Sequence, residues 1–103
     1  MQITHVEYDP AGDDVQGEVV WIENLSETSY DMNNWTLTNT ANHTFTFPSL
    51  TLDAGATVKV WTKIGTDTAT DLYWGSGRAI WNNAGDTAWL RDAQGRLVDG
   101  YSY

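Results

Sequence analysis

The chain has 103 residues, no cysteine, 14 Asp plus Glu against 5 Lys plus Arg, and 6 Trp. That length suits one domain, which buries about 60 to 70 percent of its unfolded surface on folding, while the missing cysteines exclude disulfides and cysteine-based zinc sites. With 41% hydrophobic residues the chain is not composed like a disordered one, and a net charge of −9, with the basic residues scattered, argues against a nucleic-acid partner.

Period-two patterning runs through the sequence, and no stretch repeats at the helical period, which predicts an all-β protein. Ile3 to Tyr8 forms a first strand, ended by the turn formers from Asp9 to Asp14. Glu18 to Asn24 follows, with Val20 and Ile22 on one side and Val19, Trp21 and Glu23 on the other. A polar turn from Ser26 to Asn34 leads to Trp35-Thr36-Leu37-Thr38, and His43 to Phe47 alternates again before Pro48 stops the strand. Leu50 to Thr62 holds a turn at Asp53-Ala54-Gly55 and a strand with Val58 and Val60 opposite Lys59 and Trp61. Lys63 to Asp86 is the least regular region. A hairpin of Thr87 to Asp92 and Arg96 to Tyr101, turning at Ala93-Gln94-Gly95, ends the chain. These elements describe an immunoglobulin-like β-sandwich of about seven to nine short, mostly antiparallel strands in one domain over residues 1 to 103. The final strand stops abruptly, as in a domain excised from a longer chain.

The order of motifs resembles the lamin tail domain family, in its prokaryotic type. It begins with Tyr8-Asp9-Pro10, Gly12-Asp13-Asp14 and Gly17-Glu18 before a Val-x-Ile strand ending in Asn24. It continues through Asn34-Trp35-Thr36-Leu37, the His43 to Pro48 run, Leu52-x-x-Gly55, Val58-x-Val60-Trp61-Thr62 and Leu72-Tyr73-Trp74-Gly75. It ends with Trp81-Asn82-Asn83-x-Gly85-Asp86-Thr87-Ala88 and Leu90-x-Asp92-x-x-Gly95. The resemblance implies an immunoglobulin-like sandwich used as an accessory module beside secreted hydrolases, nucleases or membrane proteins. The chain has no heptads and no room for a filament rod. The basic surface through which lamin tails meet DNA is also missing, so nucleic acid is not carried over as a partner.

Three sets of residues are candidate sites. Asp9, Asp13, Asp14 and Glu18 place four carboxylates within ten residues, a supply of hard oxygen ligands suited to calcium. The competing reading is a solvated turn whose aspartates bond their own backbone. Asp67 and Asp71 form a weaker cluster of the same kind. Trp35, Trp74 and Trp81 fall at family positions and are expected to pack the core or loops. Trp21 and Trp89, by contrast, alternate away from the apolar side of their strands, as does Trp61. If the strands of Trp21 and Trp61 are sheet neighbours, the two rings form a cross-strand pair on an outer aromatic face. Such a face suits a protein, a sugar ring or a second copy of the domain; alternatively the rings cover Lys59 and Lys63 stems. The face depends on register, since a slip of one residue turns both rings inward.

No acid, base and nucleophile converge, and His5 and His43 lie in no nucleophile motif, so no enzymatic activity is expected. Asn24-Leu25-Ser26, Asn34-Trp35-Thr36 and Asn42-His43-Thr44 match the glycosylation acceptor pattern, which matters only in a secretory context. The leading expectation is a non-catalytic interaction or attachment module for a protein or cell-surface component, with homodimerisation through Trp21 and Trp61 as a separate expectation. A carbohydrate-binding module, with surface Trp and structural calcium, is the alternative. No apolar run has membrane-span length. The sequence reads as soluble, and as extracellular or cell-surface if its parent chain is secreted.

Overall fold

The computed structural model describes every residue from Met1 to Tyr103. It has ten strands: β1 (Gln2–Glu7), β2 (Val19–Glu23), β3 (Tyr30–Asp31), β4 (Thr36–Thr38), β5 (Thr44–Thr46), β6 (Thr51–Leu52), β7 (Thr57–Trp61), β8 (Asp71–Tyr73), β9 (Thr87–Arg91) and β10 (Leu97–Ser102). One sheet runs β1-β2-β7-β8, the other β10-β9-β4-β5, and β3 pairs with β6 in a small third sheet. The immunoglobulin-like all-β sandwich is therefore as expected.

Alternation does the sorting. In β2, Val20 and Ile22 are fully buried, and in β7 Val58 and Val60 are, while Trp21, Lys59 and Trp61 turn outward. Leu37, Phe45, Ala88 and Leu90 supply the other sheet's inner face. Trp35 (7% exposed) and Trp81 (2%) are buried, and Trp74 packs between Phe45 and Trp81 with ring centroids 5.6 and 6.1 Å away. These three tryptophans thus serve the interior, as their positions predict.

Three elements depart from the expected layout. The strand count passes seven to nine because β3 lies inside the polar stretch read as a turn; its residues, Tyr30 and Asp31, are both exposed and carry no inward apolar signal. β8 lies in the region read as irregular, where Leu72 is its single buried residue. It is also the strand that pairs parallel, with Lys59 beside Asp71, Val60 beside Leu72 and Trp61 beside Tyr73. Third, the acidic turn contains one helical turn, Asp14–Gly17, with Asp13 as its cap: the Asp13 carboxylate accepts the Val15 N–H at 2.9 Å.

Candidate interaction surface

β2 and β7 are neighbours, as the cross-strand idea requires, but the register sets the rings on a diagonal. Trp21 stands opposite Lys59, and Trp61 opposite Val19. The outer face of the first sheet therefore reads in rows. Glu7, Val19, Trp61 and Tyr73 lie across one, and His5, Trp21, Lys59 and Asp71 across the next. Trp21 packs on the His5 ring at 5.2 Å rather than on Trp61.

Trp61 is held from several sides. Its indole N–H donates to the Asp71 carboxylate at 2.9 Å, and the Lys63 and Lys59 ammonium groups sit 4.8 and 5.7 Å from its ring centroid. Lys59 also pairs with Asp71 at 3.5 Å. The Thr70 hydroxyl and the Trp61 indole, joined by Lys59, hold the Asp71 carboxyl below the ordinary aspartate range despite some burial. Beside it, Gly65 lies against the Tyr73 ring so closely that a Cβ there would collide with it. The result is a half-buried aromatic surface edged by both signs of charge, in which the lysine ammonium groups lie over the ring.

Trp89 belongs elsewhere. It lies on the outer face of the second sheet, opposite Gly100 on β10 and Thr38 on β4. The three outward tryptophans do not make one aromatic face, because β9 and β2 belong to different layers of the sandwich. Trp89 covers Gly100 and lies under Arg91, whose guanidinium is 5.9 Å from the ring. Thr38 stands opposite it, Thr87 lies on its own strand, and Thr36, Thr44 and Thr46 extend the same hydroxyl-bearing face across β4 and β5.

The four carboxylates from Asp9 to Glu18 do not gather into a set. Asp13 caps the helical turn, while Asp9 and Asp14 both accept from the Asn83 side-chain amide, at 3.3 and 3.2 Å. Glu18 points the other way and is fully buried, which removes it from a surface calcium loop. No group of three or more His, Cys, Asp or Glu is placed to hold a metal ion.

Glu18 is instead an interior tie that the sequence reading missed, although it shares the parity of Val20 and Ile22. Its Oε1 accepts from the Thr62 hydroxyl (2.9 Å) and from the backbone N–H of Ile80 (2.9 Å) and Trp81 (3.4 Å). Its Oε2 and the Trp81 indole N–H have no partner in the chain. Burial pushes the Glu18 carboxyl above the ordinary glutamate range; its donors oppose the rise and Asp14 adds to it. Nearby, Tyr8 and Tyr103 stack at 3.9 Å, and the Tyr103 hydroxyl, raised by burial and then by Asp86, donates to the Asn82 carbonyl at 3.0 Å.

The family model of the Lamin Tail Domain matches residues 1–103, the whole chain. No curated protein gives a match. No helix is long and apolar enough to cross a membrane.

Proposed function

Since the chain belongs to the lamin tail domain family, a family of immunoglobulin-like and usually protein-binding domains, we propose that it is a non-catalytic interaction module for a protein or cell-surface component. Its contact face is the outer surface of β1, β2, β7 and β8. The observation that carries this reading is the fixation of Trp61. Its hydrogen bond to Asp71 and the two lysines over its ring hold a large amphipathic side chain in one pose, so little side-chain entropy is lost on docking. Trp21, a diagonal neighbour, extends the apolar patch, and Lys59, Asp71 and Glu7 supply the polar rim common to protein contacts.

A photo-crosslinking residue placed at Trp21 or Lys59, in cells that make the protein, tests the face against a control at Thr36 on the opposite sheet. One partner captured from both first-sheet positions and not from Thr36 is the expected result. Equal capture from all three positions sinks the reading.

Carbohydrate binding remains a second reading because Trp89 lies among threonine hydroxyls, a combination suited to stacking on a sugar ring. On that reading an oligosaccharide panel quenches or shifts the tryptophan fluorescence of the wild type, and the response disappears in Trp89→Ala. A flat response from every sugar rules it out.

A further inference from the structure

The two four-stranded sheets have four edges, and three of them are blunted. β1 carries a bulge between Ile3 and His5, and β10 one between Leu97 and Asp99. The two strands also meet across one side of the sandwich, where Asp99 accepts the Ile3 N–H at 2.8 Å. β8 is capped by its own preceding loop: Asp67 accepts the Tyr73 N–H at 3.0 Å, and the Asp71 carbonyl accepts the Thr68 N–H at 2.8 Å. Such devices stop a sheet edge from recruiting another strand.

β5 has none of them. Trp35 and Phe47 are joined by a bond of 2.8 Å, and Asn39 and His43 by one of 3.3 Å. In an antiparallel ladder hydrogen-bonded pairs recur at every second residue, so Phe45 faces Leu37 and the backbone groups of Thr44 and Thr46 point away from β4. Neither amide nor carbonyl of these two threonines has a partner in the chain, and both residues are exposed. The surrounding sequence carries no protecting charge: residues 32 to 52 contain no Asp, Glu, Lys or Arg, in a chain of net charge −9. The strand spans three residues, and pairing is bounded on one side by the turn at Asn42, whose φ is 63°, and on the other by Pro48.

We propose that the free edge of β5 accepts an extended, cationic peptide segment as a fifth strand of the second sheet. Main-chain bonds to Thr44 and Thr46 would give the affinity, and alternate side chains the selectivity. One set of peptide side chains would face inward toward Phe45 and the half-buried Trp74, whose rings lie 5.6 Å apart, and so should be apolar. The outward set would lie beside Thr44 and Thr46. Past the strand, Pro48, Ser49 and Leu50 form one wall of a groove of about 500 Å³, and Asp67, Ala69 and Leu72 form the other. The Asp67 carboxylate and the overall charge of −9 favour a cationic segment and oppose a second copy of this acidic chain. The inference uses a different part of the molecule from the outer face of the first sheet, so either can fail alone.

The probe is an eight-residue peptide of alternating valine and lysine, titrated against the ¹⁵N-labelled domain. Its glutamate counterpart and a version N-methylated at alternate amides serve as controls. The expected result is saturable amide shifts centred on Thr44 and Thr46, with hydrogen exchange at both slowed at least tenfold. The glutamate and N-methylated peptides should bind at least tenfold more weakly. Thr46→Lys, a surface change that leaves the β4–β5 ladder intact, should weaken the lysine peptide at least tenfold with an unchanged melting temperature. No response to any peptide, a response centred on Trp21 and Trp61, or equal binding of the N-methylated peptide would overturn the proposal. So would concentration-dependent shifts at Thr44 and Thr46 without peptide, which would mean that a second copy takes the edge.

Discussion

Glu18 and Asp86 hold consecutive amides of the same irregular stretch, Glu18 those of Ile80 and Trp81 and Asp86 that of Asn82, yet their acidities are driven in opposite directions. Asp86 is 7% exposed and has both oxygens engaged. Its Oδ1 accepts from the Thr40 N–H and hydroxyl and the Thr87 N–H, at 3.1, 2.8 and 2.8 Å, and its Oδ2 accepts from the Asn82 N–H at 3.2 Å. Burial alone would raise its carboxyl, but the Thr40, Thr87 and Asn82 donors outweigh it and the group lies below the ordinary range. Glu18 is fully buried with one oxygen crowded by donors and the other unpartnered, and there burial wins. The difference teaches that donors spread over both oxygens, rather than depth alone, decide in which direction a buried carboxyl's acidity moves in the fold.

Breaking the better-satisfied site should cost more. Asp86→Ala leaves the Thr40, Thr87 and Asn82 amides without their acceptor. Charge-assisted bonds of this kind are worth about 1.5 to 3 kcal/mol each, so allowing for water entry at a rim position the expected loss is about 4 kcal/mol. That is much of the ~5 to 15 kcal/mol by which domains are stable, and a fall of the urea midpoint at unchanged slope would report it. Glu18→Ala also orphans buried amides, those of Ile80 and Trp81, but it removes an oxygen, Oε2, that is buried without a partner. The expected loss is about 2 kcal/mol. A loss at Glu18 larger than at Asp86 would overturn the comparison.

The pH dependence sharpens it. The folded carboxyl of Glu18 lies above its unfolded value of about 4.3, so the native state holds the proton more tightly in that window, and stability falls as pH rises through it. Asp86 and Asp71 lie below their unfolded value of about 3.9; their contribution is present above it and is lost as pH falls toward their folded values. These three groups should therefore cost stability on both sides of their unfolded values, on the alkaline side through Glu18 and on the acid side through Asp86 and Asp71. Glu18→Gln keeps an acceptor for Ile80 and Thr62. It should change stability at pH 7 by about 1 kcal/mol or less while flattening the decline from pH ~4.5 to 7. Thermal melts across that range read both effects, and an undiminished decline in the variant would assign it to other groups.

Much of this architecture was legible in the sequence, because strands with one buried face alternate. β2, β7 and β9 could be read from Val20 and Ile22, Val58 and Val60, and Ala88 and Leu90, and the same alternation put Trp21, Trp61 and Trp89 outside. What alternation lacks is the offset between strands. It gave the side of Trp21 but not that Lys59 would stand opposite, nor that Trp89 would belong to the other layer. Glu18 carried a usable signal, its shared parity with Val20 and Ile22, which was outweighed by its nearness to the acidic turn. β8 carried almost none, since one leucine between Asp71 and Tyr73 cannot announce a parallel strand. The β5 edge lies between these cases. Its charge-free composition is visible in the sequence, but the direction of its amides follows only from the ladder register.

A stability effect as small as that of Glu18→Gln is expected on the outer face, where the same logic of donors applies to an accessible carboxylate. Trp61→Phe removes the indole N–H bonded to Asp71 but keeps an aromatic ring beneath Lys59 and Lys63. A neutral donor to a partly exposed carboxylate is worth about 1 kcal/mol or less, so the melting temperature should fall by a few degrees at most. The Asp71 carboxyl should titrate at higher pH in the variant, because its second-strongest support is gone, while the Thr70 hydroxyl, the strongest, and Lys59 remain. A ¹³C-detected titration of the side-chain carboxyl follows this directly. An unmoved Asp71 would mean that the indole bond is not formed in solution, and the fixed pose of Trp61 would lose its main support. If Asp71 moves as expected and partner crosslinking at Lys59 weakens with it, the hydrogen bond matters to docking as well as to the pose.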